Sequence, residues 1–131
     1  MVHDTFDIVE YNSESWDTQN WYDTSTFKYT PQVAGKYKFD AAIWIGGLGS
    51  DSTELQLSIY KNTDRHSRSN RVDDLNYNGQ QSTIITDIVD LNGSSDYVQV
   101  RLLEYNSSSS NRDISGGSDL SWFSGYLVEA T

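Results

Sequence analysis

The densest concentration of chemistry-bearing side chains is DRHSRSNRVDD, Asp64 to Asp74, which sets Arg65, His66, Arg68 and Arg71 close together in a chain of formal net charge −10. A guanidinium presents a planar fork of donors that matches a carboxylate or a phosphate. The local reversal of sign therefore points to a grip on an anionic partner, such as an acidic glycan on a cell surface. Bridging to acids of a neighbouring subunit, or plain solvation, are the competing uses of such a run. A second candidate is SWDTQNWYDT, Ser15 to Thr24, where Trp16, Trp21 and Tyr22 stand among Asp, Asn and Gln. Rings of this kind stack on sugar faces while polar neighbours take the hydroxyls, and they also pack well inside a fold or between subunits.

Catalytic chemistry finds little to draw on. The two histidines, His3 near the start and His66 in the arginine stretch, leave a histidine triad or an imidazole metal cage short of partners. With no cysteine there is neither a disulfide framework nor a thiolate site. The 19 acidic residues could supply a carboxylate pair, but glycoside hydrolysis also needs one acid held protonated in an apolar cleft, and no stretch marks one. The sequence reads as non-enzymatic. Oxygen ligands for calcium are available at Asp51, Asp73, Asp74 and Asp113 in turn-rich stretches, although no twelve-residue calcium loop is present. Solvated surface acids are the plainer account of these four.

The elements that must carry these groups are strands. No window holds a helical stripe, whereas period-two alternation recurs between turn-rich clusters, the pattern of an all-β sandwich. The alternation predicts strands at Thr5 to Asn12, Thr24 to Thr30, Gly35 to Ile45, Glu54 to Lys61, Thr83 to Leu91, Asp96 to Tyr105 and Asp119 to Val128. Between them GGLGSDST, NTDRHSRSN, DLNYNGQQ, NGSS and NSSSSNRDISGGS read as loops. The 131 residues make one domain, spanning 1–131.

Apolar material is thin, 36% of the chain even with tyrosine counted, so association would help the core. Nine tyrosines and four tryptophans favour aromatic interfaces. A pI near 4.3 argues against tracking a phosphate backbone, so nucleic acid is not an expected partner. No apolar run reaches the roughly 20 residues that span a bilayer, and MVHDTFDIVE does not read as a secretion signal. Membrane insertion is not expected, and work outside a cell would need lysis, a special route or a longer parent chain.

The only proline, Pro31, cannot donate to a ladder and holds Thr30 extended, which puts it at a strand end, with Gly35 allowing a bend before the next strand. From there Tyr37, Phe39, Ala41, Ile43 and Ile45 point into a core, and Lys36, Lys38, Asp40, Ala42 and Trp44 point away. Tyr29-Thr30-Pro31, Val33-Ala34-Gly35, Tyr37 and Phe39 together resemble the opening motif of the complement one-q-like globular domain. LSIYKN, Leu57 to Asn62, is similar to that family's central strand and turn, with Thr63 where a glycine is usual. FSGYLV, Phe123 to Val128, resembles its closing strand, and Tyr22-Asp23 before Phe27 fits the region ahead of the proline. The ordered set covers nearly the whole chain. The resemblance implies an antiparallel two-sheet jelly-roll sandwich of about ten strands, shared with the tumour necrosis factor fold and assembled as a homotrimer. Some members bind calcium near the trimer axis, but none of the four aspartates matches a family ligand position.

Residue patterning points the same way. The strand from Asp96 sends Val98, Val100 and Leu102 to one face and Tyr97, Gln99, Arg101, Leu103 and Tyr105 to the other. The last strand sends Phe123, Gly125 and Leu127 one way and Trp122, Ser124, Tyr126 and Val128 the other. The strand from Glu54 alternates Leu55, Leu57 and Ile59 with Gln56 and Ser58, a one-sided pattern. In the arrangement that the resemblance implies, the two-sided strands share one inner sheet, and Trp44, Tyr97, Arg101, Leu103, Trp122 and Tyr126 form the trimer interface. The expected function is a trimeric recognition head that binds a host-cell receptor or glycan. Its expected setting is a virion surface, such as a bacteriophage tail, or otherwise extracellular. TPQVAGKYKF and the lack of cysteine resemble viral members of the family more than secreted animal ones. A purely structural virion component and a secreted glycan-binding or immune lectin of the same fold are the alternatives.

Overall fold

Every regular element of the computed structural model is a strand; it describes residues 6–14, 17–48, 52–69, 72–73, 79–106, 114, 116–117 and 120–131, with the backbone alone at 47, 48, 52, 53, 72 and 73. In chain order the strands are β1 (Phe6–Ile8), β2 (Tyr22–Asp23), β3 (Lys28–Tyr29), β4 (Gly35–Leu48), β5 (Ser52–Lys61), β6 (Asp64–Arg68), β7 (Val72–Asp73), β8 (Gly79–Leu91), β9 (Val98–Asn106) and β10 (Trp122–Ala130). One antiparallel sheet has the order β10-β4-β8. The other has the order β2-β3-β9-β5-β6, with β1 beside β9 and β7 beside β5. The chain crosses between the sheets after β3, β4, β7, β8 and β9, which makes the two sheets one antiparallel β-sandwich.

The core lies where the alternation puts it. Tyr37, Phe39, Ala41, Ile43 and Ile45 of β4 meet Leu55, Leu57 and Ile59 of β5 and Val98, Val100 and Leu102 of β9, and all eleven are buried. Pro31 lies at the crossing from β3 to β4, where Thr30 still donates to Trp21 O at 2.8 Å before pairing ends. Gly35 serves a different purpose from the bend its position suggests. It begins the long pairing of β4, and a β-carbon there would strike the Glu129 carbonyl and lie 2.8 Å from Leu127 Cδ1, so its role is close approach to β10.

Several strand boundaries differ from the sequence reading. The segment from Thr24 is a turn, because Asp23 Oδ1 captures the Ser25 N–H at 2.7 Å and Phe27 N closes onto Asp23 O at 2.7 Å with Phe27 at φ 58°. Only Lys28–Tyr29 remains extended, pairing with Tyr22–Asp23 as a small hairpin. β1 ends at Ile8, after which Tyr11 N turns back to Val9 O. In the other direction, Asp64–Arg68, read as loop, is strand β6 on the edge of β5, and β8 begins at Gly79 opposite Leu48. Both segments lack alternating apolar residues, so ladder pairing, which leaves no compositional mark, decides them.

The two-sided strands do not share a sheet. β9 pairs with β5, β3 and β1, while β4 and β10 lie in the three-stranded sheet opposite. β5 is not one-sided either, since Gln56 and Ser58 are as buried as its leucines.

Candidate functional site

The molecule presents two sheet faces of contrasting chemistry. On the outer face of β10-β4-β8, lateral register sets Trp122, Ala42 and Ile84 in one row and Tyr126, Lys38 and Ile88 in another, with Ser124, Asp40 and Thr86 between them. Trp44 continues the apolar row on β4, opposite Ser82. Ile84 is 60% exposed, Ile88 49% and Tyr126 56%. The sheet thus shows large apolar side chains to solvent on its two outer strands, β8 and β10, while on β4 between them Lys38 and Asp40 pair with each other at 3.6 Å. Several such side chains on one face, unlike a lone exposed leucine, are a feature of interaction surfaces.

Of the six residues expected at one interface, Trp44, Trp122 and Tyr126 are brought together here, with Ile84 and Ile88 beside them. Arg101 and Leu103 belong to β9 of the opposite sheet, and Tyr97 immediately precedes that strand. The sequence reading missed both isoleucines because TIITDIVD carries apolar residues on both faces, and the outward pair is visible only once Ile85 and Val89 are assigned inward.

The outer face of the other sheet is cationic and aromatic. The Arg101 guanidinium lies 4.3 Å from the Tyr60 ring centre, Arg65 5.3 Å from Phe6, and Lys28 Nζ 4.2 Å from Tyr97. Phe6 and Tyr60 are themselves in contact, with ring centres 6.2 Å apart. Arg101 Nη2 donates to Gln99 Oε1 at 3.3 Å, and Gln99 in turn donates to Thr26 O at 3.0 Å. Arg65, His66 and Arg68 therefore stand on a strand, not in a loop. His66 leaves the group, since its Nδ1 lies 3.1 Å from Asp87 Oδ2 of β8, across the edge of the sandwich. Arg71 lies outside the described residues.

The aromatic stretch before β2 supports the core. Trp21 meets Tyr29 and Tyr37 edge-on at 6.2 and 6.4 Å, and Tyr22 packs on Phe123 at 5.8 Å. Tyr22 Oη donates to Tyr11 O, and Tyr11 Oη to Ala42 O, both at 3.0 Å. Burial pushes both phenols above the usual tyrosine range, which keeps them neutral donors. These contacts tie Trp21 and Tyr22 to the core. Trp16 lies outside the described residues. Alongside, a groove of about 1790 Å³ runs between the N-terminal segment and the outer edge of β10, lined by Tyr11, Tyr22, Arg101, Trp122 and Phe123 among others.

No group of three or more metal-binding side chains converges among the described residues. Asp51, Asp74 and Asp113 lie outside them, as does the side chain of Asp73. Among the described residues no helix is long and apolar enough to cross a membrane.

Fold and faces together define an antiparallel two-sheet β-sandwich with one apolar and one cationic outer face. No protein-family model matches the chain, and no curated protein matches it.

Proposed function

We propose that the chain is a non-enzymatic recognition module that works as a homotrimer, with the outer face of β10-β4-β8 buried between subunits and the remaining surface turned towards a receptor or glycan. The observation that carries this reading is the single outer face that holds Trp44, Trp122, Ile84, Ile88 and Tyr126. Each large side chain removed from water contributes about 1.5–3 kcal/mol before the costs of association. A core thin in apolar residues gains from such burial.

An antiparallel two-sheet sandwich is also the fold that the complement one-q-like resemblance implies, and that resemblance supplies the number three. Placement on a virion surface rests on the sequence resemblance alone. Three copies of a weak site on one rigid body raise avidity without new contacts. Comparing wild type with Ile88→Arg on a glycan array tests this. The trimer is expected to be retained on at least one glycan class, with retention lost in a folded, monomeric variant. Absence of retention for the wild type across glycans and intact host cells contradicts the recognition role.

A further inference from the structure

We propose that the outer face of the β9-β5-β6 surface is a receptor for an acidic, carboxylate-bearing saccharide, read by Arg68, Arg101 and Arg65. This deepens the recognition reading above and rests on it for its biological setting, though not for its chemistry.

The geometry begins with an irregularity. In a regular strand, Arg65 and Arg68 are three residues apart and point to opposite faces. In β6 the register shifts opposite Ile59 and Tyr60, so Arg65 pairs with Tyr60, Ser67 with Ile59 and Arg68 with Ser58. His66 takes up the extra position and turns to Asp87. The bulge thereby brings both arginines to the outer face, the kind of re-aiming that bulges perform.

The next strand completes the row. Ser58 is also the lateral partner of Arg101, so Arg68, Ser58 and Arg101 lie side by side on three adjacent strands, and Arg65, Tyr60 and Gln99 form the neighbouring row. With strands about 4.8 Å apart, the two flanking arginines stand roughly 10 Å apart at the backbone, close enough for both forks to converge on one sugar ring. Between them Ser58 is wholly buried, and its hydroxyl has no hydrogen-bond partner; the same holds for Arg101 Nε. Two donors, the Ser58 hydroxyl and Arg101 Nε, thus lie unpaired on laterally paired residues.

Charge makes the arrangement selective. The chain carries 19 acidic residues against nine lysines and arginines, yet among the described residues no ion pair involves Arg65, Arg68 or Arg101. On this face of β5 the acid, Glu54, is four residues from Ser58, about 13 Å along the strand. Arg101 lies over the Tyr60 ring and Arg65 over the Phe6 ring, contacts that restrain the forks so that less freedom is lost on binding, and guanidinium sheds water more readily than ammonium. The surrounding acidic surface repels extended polyanions such as nucleic acid, which leaves a short acidic saccharide as the fitting occupant.

The test is calorimetric titration of the whole chain with a galacturonate tetramer, with maltotetraose as the neutral control and a dextran sulfate oligomer as the sulfate arm. Binding of the galacturonate tetramer is expected, weakening as salt rises, with no heat from maltotetraose. Arg68→Gln and Arg65→Gln, both on the exposed edge strand, are expected to lower affinity tenfold or more at an unchanged melting temperature, as is Arg101→Gln where it folds. Lys36→Gln, on the opposite sheet, should leave affinity unchanged. No binding at millimolar tetramer, equal affinity in Arg68→Gln and Arg65→Gln, or binding of the sulfated oligomer alone each overturns the proposal. Solution mass separates the two readings. A trimer that does not bind overturns the saccharide site alone, and a monomer that binds overturns the assembly alone.

Discussion

The Phe39 ring lies directly over Gly125, so closely that a β-carbon on the glycine would fall 2.6 Å from two of its ring carbons. Phe39 also stacks on Phe123 at 5.6 Å with an interplanar angle of 6°, which fixes the ring in place. The glycine of the FSGY stretch is thus a seat for a core aromatic contributed by the neighbouring strand. Gly125→Ala is expected to destabilise the fold by about 1–3 kcal/mol through overpacking, read as a lowered urea midpoint with an unchanged slope. An unchanged midpoint would mean that Phe39 has room to move aside.

Asn62 explains why the LSIYKN stretch ends as it does. It adopts φ 56°, donates through Nδ2 to Asp96 at 2.9 Å and accepts the Tyr97 N–H at 3.1 Å, which ties the β5-β6 turn to the start of β9. The Asn62 amide first, with the Asn92 N–H and the Lys61 ammonium, holds the Asp96 carboxyl below its ordinary value of 3.8. A depressed carboxyl contributes stability that is complete above the unfolded value and is lost as pH falls through the folded one. Wild type should therefore exceed Asp96→Asn in melting temperature at neutral pH, with the gap closing as pH falls below about 3.8. A gap independent of pH would remove this linkage.

Glu104 is wholly buried, with one carboxyl oxygen accepting from Asn106 Nδ2 at 2.7 Å and the other without a partner. Removing one member of such a pair costs more than removing both. Asn106→Leu alone should destabilise by roughly 2 kcal/mol or more, and adding Glu104→Met should recover most of that loss in a double-mutant comparison. Strictly additive losses would show that the two side chains act independently.

The inward sets of β4, β5 and β9 were legible because one buried face imposes strict alternation, and each of Tyr37, Phe39, Leu57 and Val100 lies where that pattern predicts. Sheet membership was not legible from alternation, which reports the face a residue takes but not the strand it pairs with. That is why Arg101 and Leu103 were grouped with Trp44. β6 escaped notice for a related reason: Arg65, His66 and Arg68 carry no apolar period, and the bulge that unites the two arginines depends on register with β5. The chemistry of DRHSR was visible from charge alone, whereas its partners Ser58, Tyr60 and Arg101 required the pairing of three strands.

The apolar rows on β10-β4-β8 carry the central claim, and solution mass tests it most directly. Light scattering during size exclusion is expected to give about three times the 14.8 kDa chain mass for the wild type and a single-chain mass for Ile84→Arg. A wild-type mass of one chain at micromolar concentration would contradict the account, leaving Ile84, Ile88 and Tyr126 exposed on a monomer.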